Sequence, residues 1–125
     1  MKKFSIFDRI LSFKFAIKGV ILLFKNEHNA WIHGMAMLLA VAAGFYFNIS
    51  KMEWVAVVFC IGAVFTAEAF NTAIEKIADF IHPNQNKDIA QIKDLAAGGV
   101  LLTASAAFTV GLIIFLPKII LLIGG

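Results

Sequence analysis

The stretch that most constrains this chain is WVAVVFCIGAVFTA, residues 54–67, because it runs without a charge straight into EAFNTAIEKIAD, residues 68–79. A membrane crossing takes about 20 mostly apolar residues. The run reaches that length only by extending to about Ala73, which puts Glu68 inside the hydrocarbon. An ionised acid at the middle of a membrane helix costs roughly 2.5–3.5 kcal/mol on insertion scales. A helix that carries this acid needs a use for it.

The rest of the chain supports the membrane reading. Of its 125 residues, 61% are hydrophobic and 15% charged, with a mean hydropathy of +0.88. Soluble domains are nearer half apolar and a quarter charged. The length suits one domain over residues 1–125, with no room for a separate soluble one. Spanning backbone must satisfy its own hydrogen bonds, so the expected class is an all-α integral membrane protein. A β-barrel would show alternating strands of about ten residues, and continuous apolar runs stand here instead.

Three crossings are expected, at about 31–49, 54–73 and 95–116. The helical pattern of the second continues to about Ile81, and Pro117 is the expected stop of the third. NISKME, residues 48–53, reads as a turn, and the polar break at 81–88 as a loop. Trp31, Tyr46 and Trp54 lie near the ends of spans, as interfacial aromatics do. Residues 4–25 mix large apolar side chains with Lys14, Lys18 and Lys25 on one helical stripe. They read as an amphipathic surface helix, with a fourth crossing as the alternative. Charges interrupt this segment and no small-residue cleavage site follows, so a cleaved signal peptide is not expected. Cys60 is the single cysteine, which leaves no intrachain disulfide.

Positive charge sets the expected topology. Lys2, Lys3, Arg9, Lys14, Lys18 and Lys25 precede the first crossing, and Lys76, Lys87 and Lys93 flank the second loop. Only Lys51 lies in the first turn and only Lys118 near the C-terminal end. The N-terminus and the second loop are therefore expected inside. The net charge of +3 fits attraction to an anionic inner leaflet. The cations are spread along membrane-adjacent segments without a reading module, so nucleic acid is not an expected partner.

On a helix, Glu68, Asn71, Thr72, Glu75 and Asp79 share one face. Glu68 lies two turns deeper than Glu75, about 10.5 Å along the axis. The topology brings Asn26 and Glu27 from the first crossing, and Lys93 and Asp94 from the third, to the same inner end. Carboxylate oxygens suit a hard cation such as Mg²⁺, which completes its shell with water and phosphate oxygens. Lys93 can neutralise phosphate as a point charge. Phosphoryl transfer needs this set: a metal between carboxylates and phosphates, and a base near the acceptor.

Plainer roles exist for many of these residues. Membrane-edge acids are often only solvated, and Lys93 can snorkel to the interface. His28, His33 and His82 follow no zinc spacing and read as interfacial polar residues. Gly98 and Gly99 do not form a P-loop and read as helix-packing positions. Two other functions compete: a small proton-coupled multidrug-type transporter using Glu68, and a structural subunit of a larger complex. Three crossings cannot easily cover a polar face and several glycines, so an oligomer is expected.

EAFNTAIEKIAD resembles the signature of the prokaryotic diacylglycerol kinase family, E-x-[LIVM]-N-[ST]-[SA]-[LIV]-E-x-x-[VA]-D, with Phe70 in place of an aliphatic residue. Asn26–Glu27 and Lys93–Asp94, the latter followed by LAAGGVLL, are similar to the family at matching spacing. The resemblance implies a surface helix with three transmembrane helices, a homotrimer with shared sites, and a bacterial inner membrane location. It implies transfer of the ATP γ-phosphate to a membrane lipid alcohol, in phospholipid or lipid-carrier recycling. Carried over, Glu27 and Glu75 hold the Mg²⁺ that bridges the ATP phosphates, and Glu68 is the base. Asn71 orients groups beside it, Lys93 contacts phosphate, and Asp94 helps fix the nucleotide; Asn26, Thr72 and Asp79 support them. Enterobacterial members carry Glu and His before K-D, where Asn84, Gln85 and Asn86 stand here. NEHNAWIH and KDLAAGGVLL are more similar to the undecaprenol-kinase branch than to the diacylglycerol branch.

Overall fold

The structure, a computed structural model, describes residues 3–125; Lys2, one of the N-terminal cations, lies outside them. Among the described residues four helices follow one another: α1 (Ile6–Asn26), α2 (His28–Tyr46), α3 (Lys51–Ile81) and α4 (Lys87–Gly124). The last three are long and apolar enough to cross a membrane. Large apolar side chains such as Phe59, Phe80, Leu95 and Ile123 stand exposed all along them. Water would not tolerate apolar surface on that scale, whereas lipid does.

Each connection has a local cause. Ser5 caps α1 by accepting from the Asp8 N–H at 3.3 Å. Glu27 alone separates α1 from α2, in extended backbone, and its N–H still donates to the Leu23 carbonyl at 3.1 Å. α2 ends at Tyr46, short of the expected Ile49, because Asn48 turns into the left-handed region at φ 48°. Ile49 N–H then donates to the Gly44 carbonyl (3.1 Å) and Asn48 N–H to that of Phe45 (3.3 Å), the paired bonds of a Schellman C-cap. Gly44 is required there, since a Cβ would meet the Trp54 ring at 2.7 Å. Ser50 and Glu53 then form a reciprocal capping box that starts α3.

The second loop is shorter than the polar break in the sequence. Asn86 accepts from the N–H groups of Asp88 (2.8 Å) and Ile89 (3.2 Å), so α4 begins at Lys87 and takes in Lys93 and Asp94. Pro117 does not stop α4, which continues to Gly124. A proline in a spanning helix removes one N–H and crowds one carbonyl, and neighbouring side chains can re-satisfy the freed groups. The carbonyl that loses its helical partner at Pro117 is that of Ile113. Lys118 Nζ separately donates to the Ile114 carbonyl at 3.2 Å and to Glu53 Oε1 at 2.8 Å, which ties α4 beyond the proline to the start of α3.

α3 is the hub, packed against the other three helices and most extensively against α4. The α3–α4 pair is pinned at both ends by ion pairs, Glu53 with Lys118 and Asp79 with Lys93. The acid-to-acid span on α3 nearly equals the lysine-to-lysine span on α4, about 38 Å at 1.5 Å per residue. That length lies between the roughly 30 Å hydrocarbon core and the 40–45 Å of a whole bilayer. The apolar core of Ile49, Val57 and Ile114, with Trp54 and Phe115 against it, sits at the Glu53 end. The polar face of α3 lies toward the other.

Candidate active site

The EAFNTAIEKIAD stretch is one unbroken part of α3, and its polar face is turned inward. Glu68 is 1% exposed, and Asn71 and Thr72 are buried beside it. Phe70 and Ile77, on the opposite face, are exposed. Asn71 Oδ1 and Thr72 Oγ1 have no hydrogen-bond partner, and Glu68 Oε1 has no well-aligned one. An unsatisfied buried polar atom costs about 1–3 kcal/mol, so polar atoms left this way on adjacent turns mark a candidate site. Glu75, half-buried, accepts from Asn71 Nδ2 at 3.4 Å, which turns its carboxylate toward the Glu68 side of the helix.

The α1–α2 junction reaches the same stretch through aromatic packing. The Phe24 ring lies 5.3 Å from Phe65 and 6.0 Å from Trp31, and Trp31 Nε1 donates to the Phe24 carbonyl at 2.6 Å. Glu27 is thereby held at the junction, and its side chain makes no capping bond to α2. Through the Phe24–Phe65 contact, Glu27 and the junction pack on α3 about a turn from Glu68. Asn26, the last residue of α1, is exposed beside them.

Lys93 of α4 contacts Asp79 of α3 at the loop end of that helix pair. These two residues help line an open cavity of about 480 Å³ with His82, Gln85 and Asn86. Asp94 is exposed on the next position of α4. The helices thus bring Glu27, Glu68, Asn71, Thr72 and Glu75 together, and set Asp79 with Lys93 farther along α3.

Sequence reasoning missed His33. By spacing it reads as an interfacial polar residue, yet its Nε2 lies 3.0 Å from Glu68 Oε1. A hairpin turning at 47–50 carries the two residues to similar depths. Nothing in their spacing says that these two faces meet.

Among the described residues no three His, Cys, Asp or Glu side chains gather closely enough to cage a metal ion. Two carboxylates, Glu27 and Glu75, fit a different demand. Mg²⁺ is usually held by one or two carboxylates and takes its remaining ligands from water and phosphates.

The family model described as prokaryotic diacylglycerol kinase matches residues 14–115. The chain belongs to the prokaryotic diacylglycerol kinase family. Membership makes this member a lipid phosphotransferase of the membrane, and every site residue named above lies within the matched stretch. It is 35% identical over 108 residues to the undecaprenol kinase of Bacillus subtilis, covering 86% of this chain and 88% of that one. It is 30% identical over 112 residues to the diacylglycerol kinase of Synechocystis, covering 89% of this chain and 64% of that one. The comparisons lend nothing to the transporter alternative.

Proposed function

We propose that this family member transfers the γ-phosphate of ATP, with Mg²⁺, to the hydroxyl of a membrane lipid alcohol, and that undecaprenol is preferred to diacylglycerol. The observation that carries the proposal is the inward polar face of α3, where Glu68 is buried with Asn71 and Thr72 and Asn71 holds Glu75 one turn on. The preference rests on the higher identity and fuller coverage of the undecaprenol kinase relative.

The roles follow from depth and chemistry. Glu68 accepts the proton of the lipid hydroxyl. The lipid oxygen forms a bond to the γ-phosphorus as the bond to the β–γ bridging oxygen breaks, and ADP leaves. Asn71 holds Glu75 in place through its amide. Glu27 and Glu75 would hold the Mg²⁺, which when bound neutralises charge on the phosphates. Lys93 supplies a further positive charge, with Asp79 keeping it at the inner end. Asp94 and Asn26 face the aqueous nucleotide, and Thr72 lines the buried part of the site. α1 lies on the inner surface of the bacterial inner membrane, with the N-terminus cytoplasmic.

Purified protein supplied with Mg²⁺ and γ-labelled ATP is expected to label both alcohols, with higher kcat/KM for undecaprenol. Equal or reversed preference would remove the substrate assignment, and an unlabelled lipid fraction with either alcohol would sink the kinase chemistry in this chain.

A homotrimer is part of the same proposal. Gly62, Gly98, Gly99 and Gly111 have open space where a Cβ would stand, so small-residue faces on α3 and α4 are uncovered within one chain. Such faces let spanning helices approach closely. Cross-linking in native membranes is expected to give a three-chain species. A monomer with full activity in mild detergent would count against it.

A further inference from the structure

We infer that His33 is a positioning residue for Glu68, holding its carboxylate toward the lipid hydroxyl. This role rests on the kinase reading above. His33 Nε2 lies 3.0 Å from Glu68 Oε1, and that oxygen is buried without a well-aligned hydrogen bond. The ring is therefore at pairing distance but out of line with the oxygen. Catalytic hydrogen bonds are often poorly aligned before substrate binds and tighten in the complex.

His33 has a second contact surface. It lines a groove of about 520 Å³ between α2, α3 and α4, whose other walls include Met37, Val57, Phe108 and Phe115. In that lining of aliphatic, aromatic and sulfur-bearing side chains, His33 is the basic group. It stands between a nearly dry carboxylate and an apolar groove. A small rotation of the ring would bring its N–H onto Glu68 Oε1. An unheld Glu68 would keep its rotamer freedom, and a misplacement of about 1 Å at a reacting group costs about 10²-fold in rate.

The test compares three substitutions in the full-length protein, each assayed for kcat and for KM of ATP. His33→Leu keeps the bulk and loses the nitrogen. His33→Gln places an amide nitrogen near the position of Nε2, and His33→Asn places it nearer to Nδ1. His33→Leu is expected to lower kcat about 10²-fold with KM for ATP unchanged. His33→Gln is expected to recover most of that loss, and His33→Asn little of it. In a Glu68→Gln background, His33→Leu is expected to add no further loss, because it acts through Glu68.

Three outcomes would overturn the role. His33→Leu could turn over at the unaltered rate. The three variants could lose rate equally. The loss could instead multiply with that of Glu68→Gln. A parallel rise in KM for ATP would mark a merely structural residue and likewise remove the role. If the unaltered protein labels neither alcohol, the kinase reading fails, and the role of His33 fails with it.

Discussion

Glu68→Gln is expected to lower lipid phosphorylation by about 10²–10⁴-fold, the usual contribution of a positioned general base. Binding of ATP is expected to persist. Glutamine has nearly the shape of glutamate but cannot take a proton at neutral pH. The position is 1% exposed, so a change of shape would be felt there while this change of charge removes the base alone. Thermal stability should hold or rise. A carboxylate buried to 1% exposure is costly in an apolar site, and a neutral amide lowers that cost. Lost rate with retained or higher stability is the mark of a catalytic group kept against the fold's own preference. Kinetics, ATP binding and a thermal melt on the same preparation check all three. Turnover at the unaltered rate would take Glu68 out of the base role.

Glu27→Gln and Glu75→Gln are expected to fail in a different way. Each should cut turnover by about 10²-fold at a fixed Mg²⁺ concentration, comparable to removing one group that stabilises developing charge. Raising Mg²⁺ should recover part of the rate, because each variant keeps the other carboxylate. Glu68→Gln should show no such recovery. Glu75 is also held by Asn71 at 3.4 Å, so the amide at position 75 can pair with Asn71 in a new orientation. Glu27 has no comparable bond to α2, so its replacement should perturb the fold less. A Mg²⁺ titration of the three variants separates these cases. A loss that does not respond to Mg²⁺ at either position would assign that residue to structure and not to the metal.

Much of this site is readable along single helices. The 3.6-residue turn alone puts Glu68, Asn71, Thr72 and Glu75 on one face, and α3 turns that face inward. Three long apolar segments foretell three helices able to span, and they are present. The family signature is likewise local, being one stretch of one helix. Helix ends were less legible. The Schellman cap at Asn48 depends on backbone bonds across the turn, and the N-cap at Asn86 draws Lys93 and Asp94 into α4. Pro117 reads as a stop by propensity, yet α4 continues to Gly124, with Lys118 just past the proline tied to Glu53 of α3.

Partners across helices belong to the tertiary structure. Asp79 takes Lys93, and His33 takes Glu68, from residues far apart in the chain. Phe24 docks the α1–α2 junction on Phe65 and so carries Glu27 to the polar face of α3. The physical reason is the range of the forces involved. The face on which a residue stands follows from backbone geometry within a turn or two. The residue that it meets depends on the rotation and crossing of whole helices, and these are set by the sum of many side-chain contacts along their length. The chain's apolar runs and one polar stripe thus determine the fold class and single out Glu68 as the candidate reacting carboxylate, while only the packed bundle decides that His33 stands beside it.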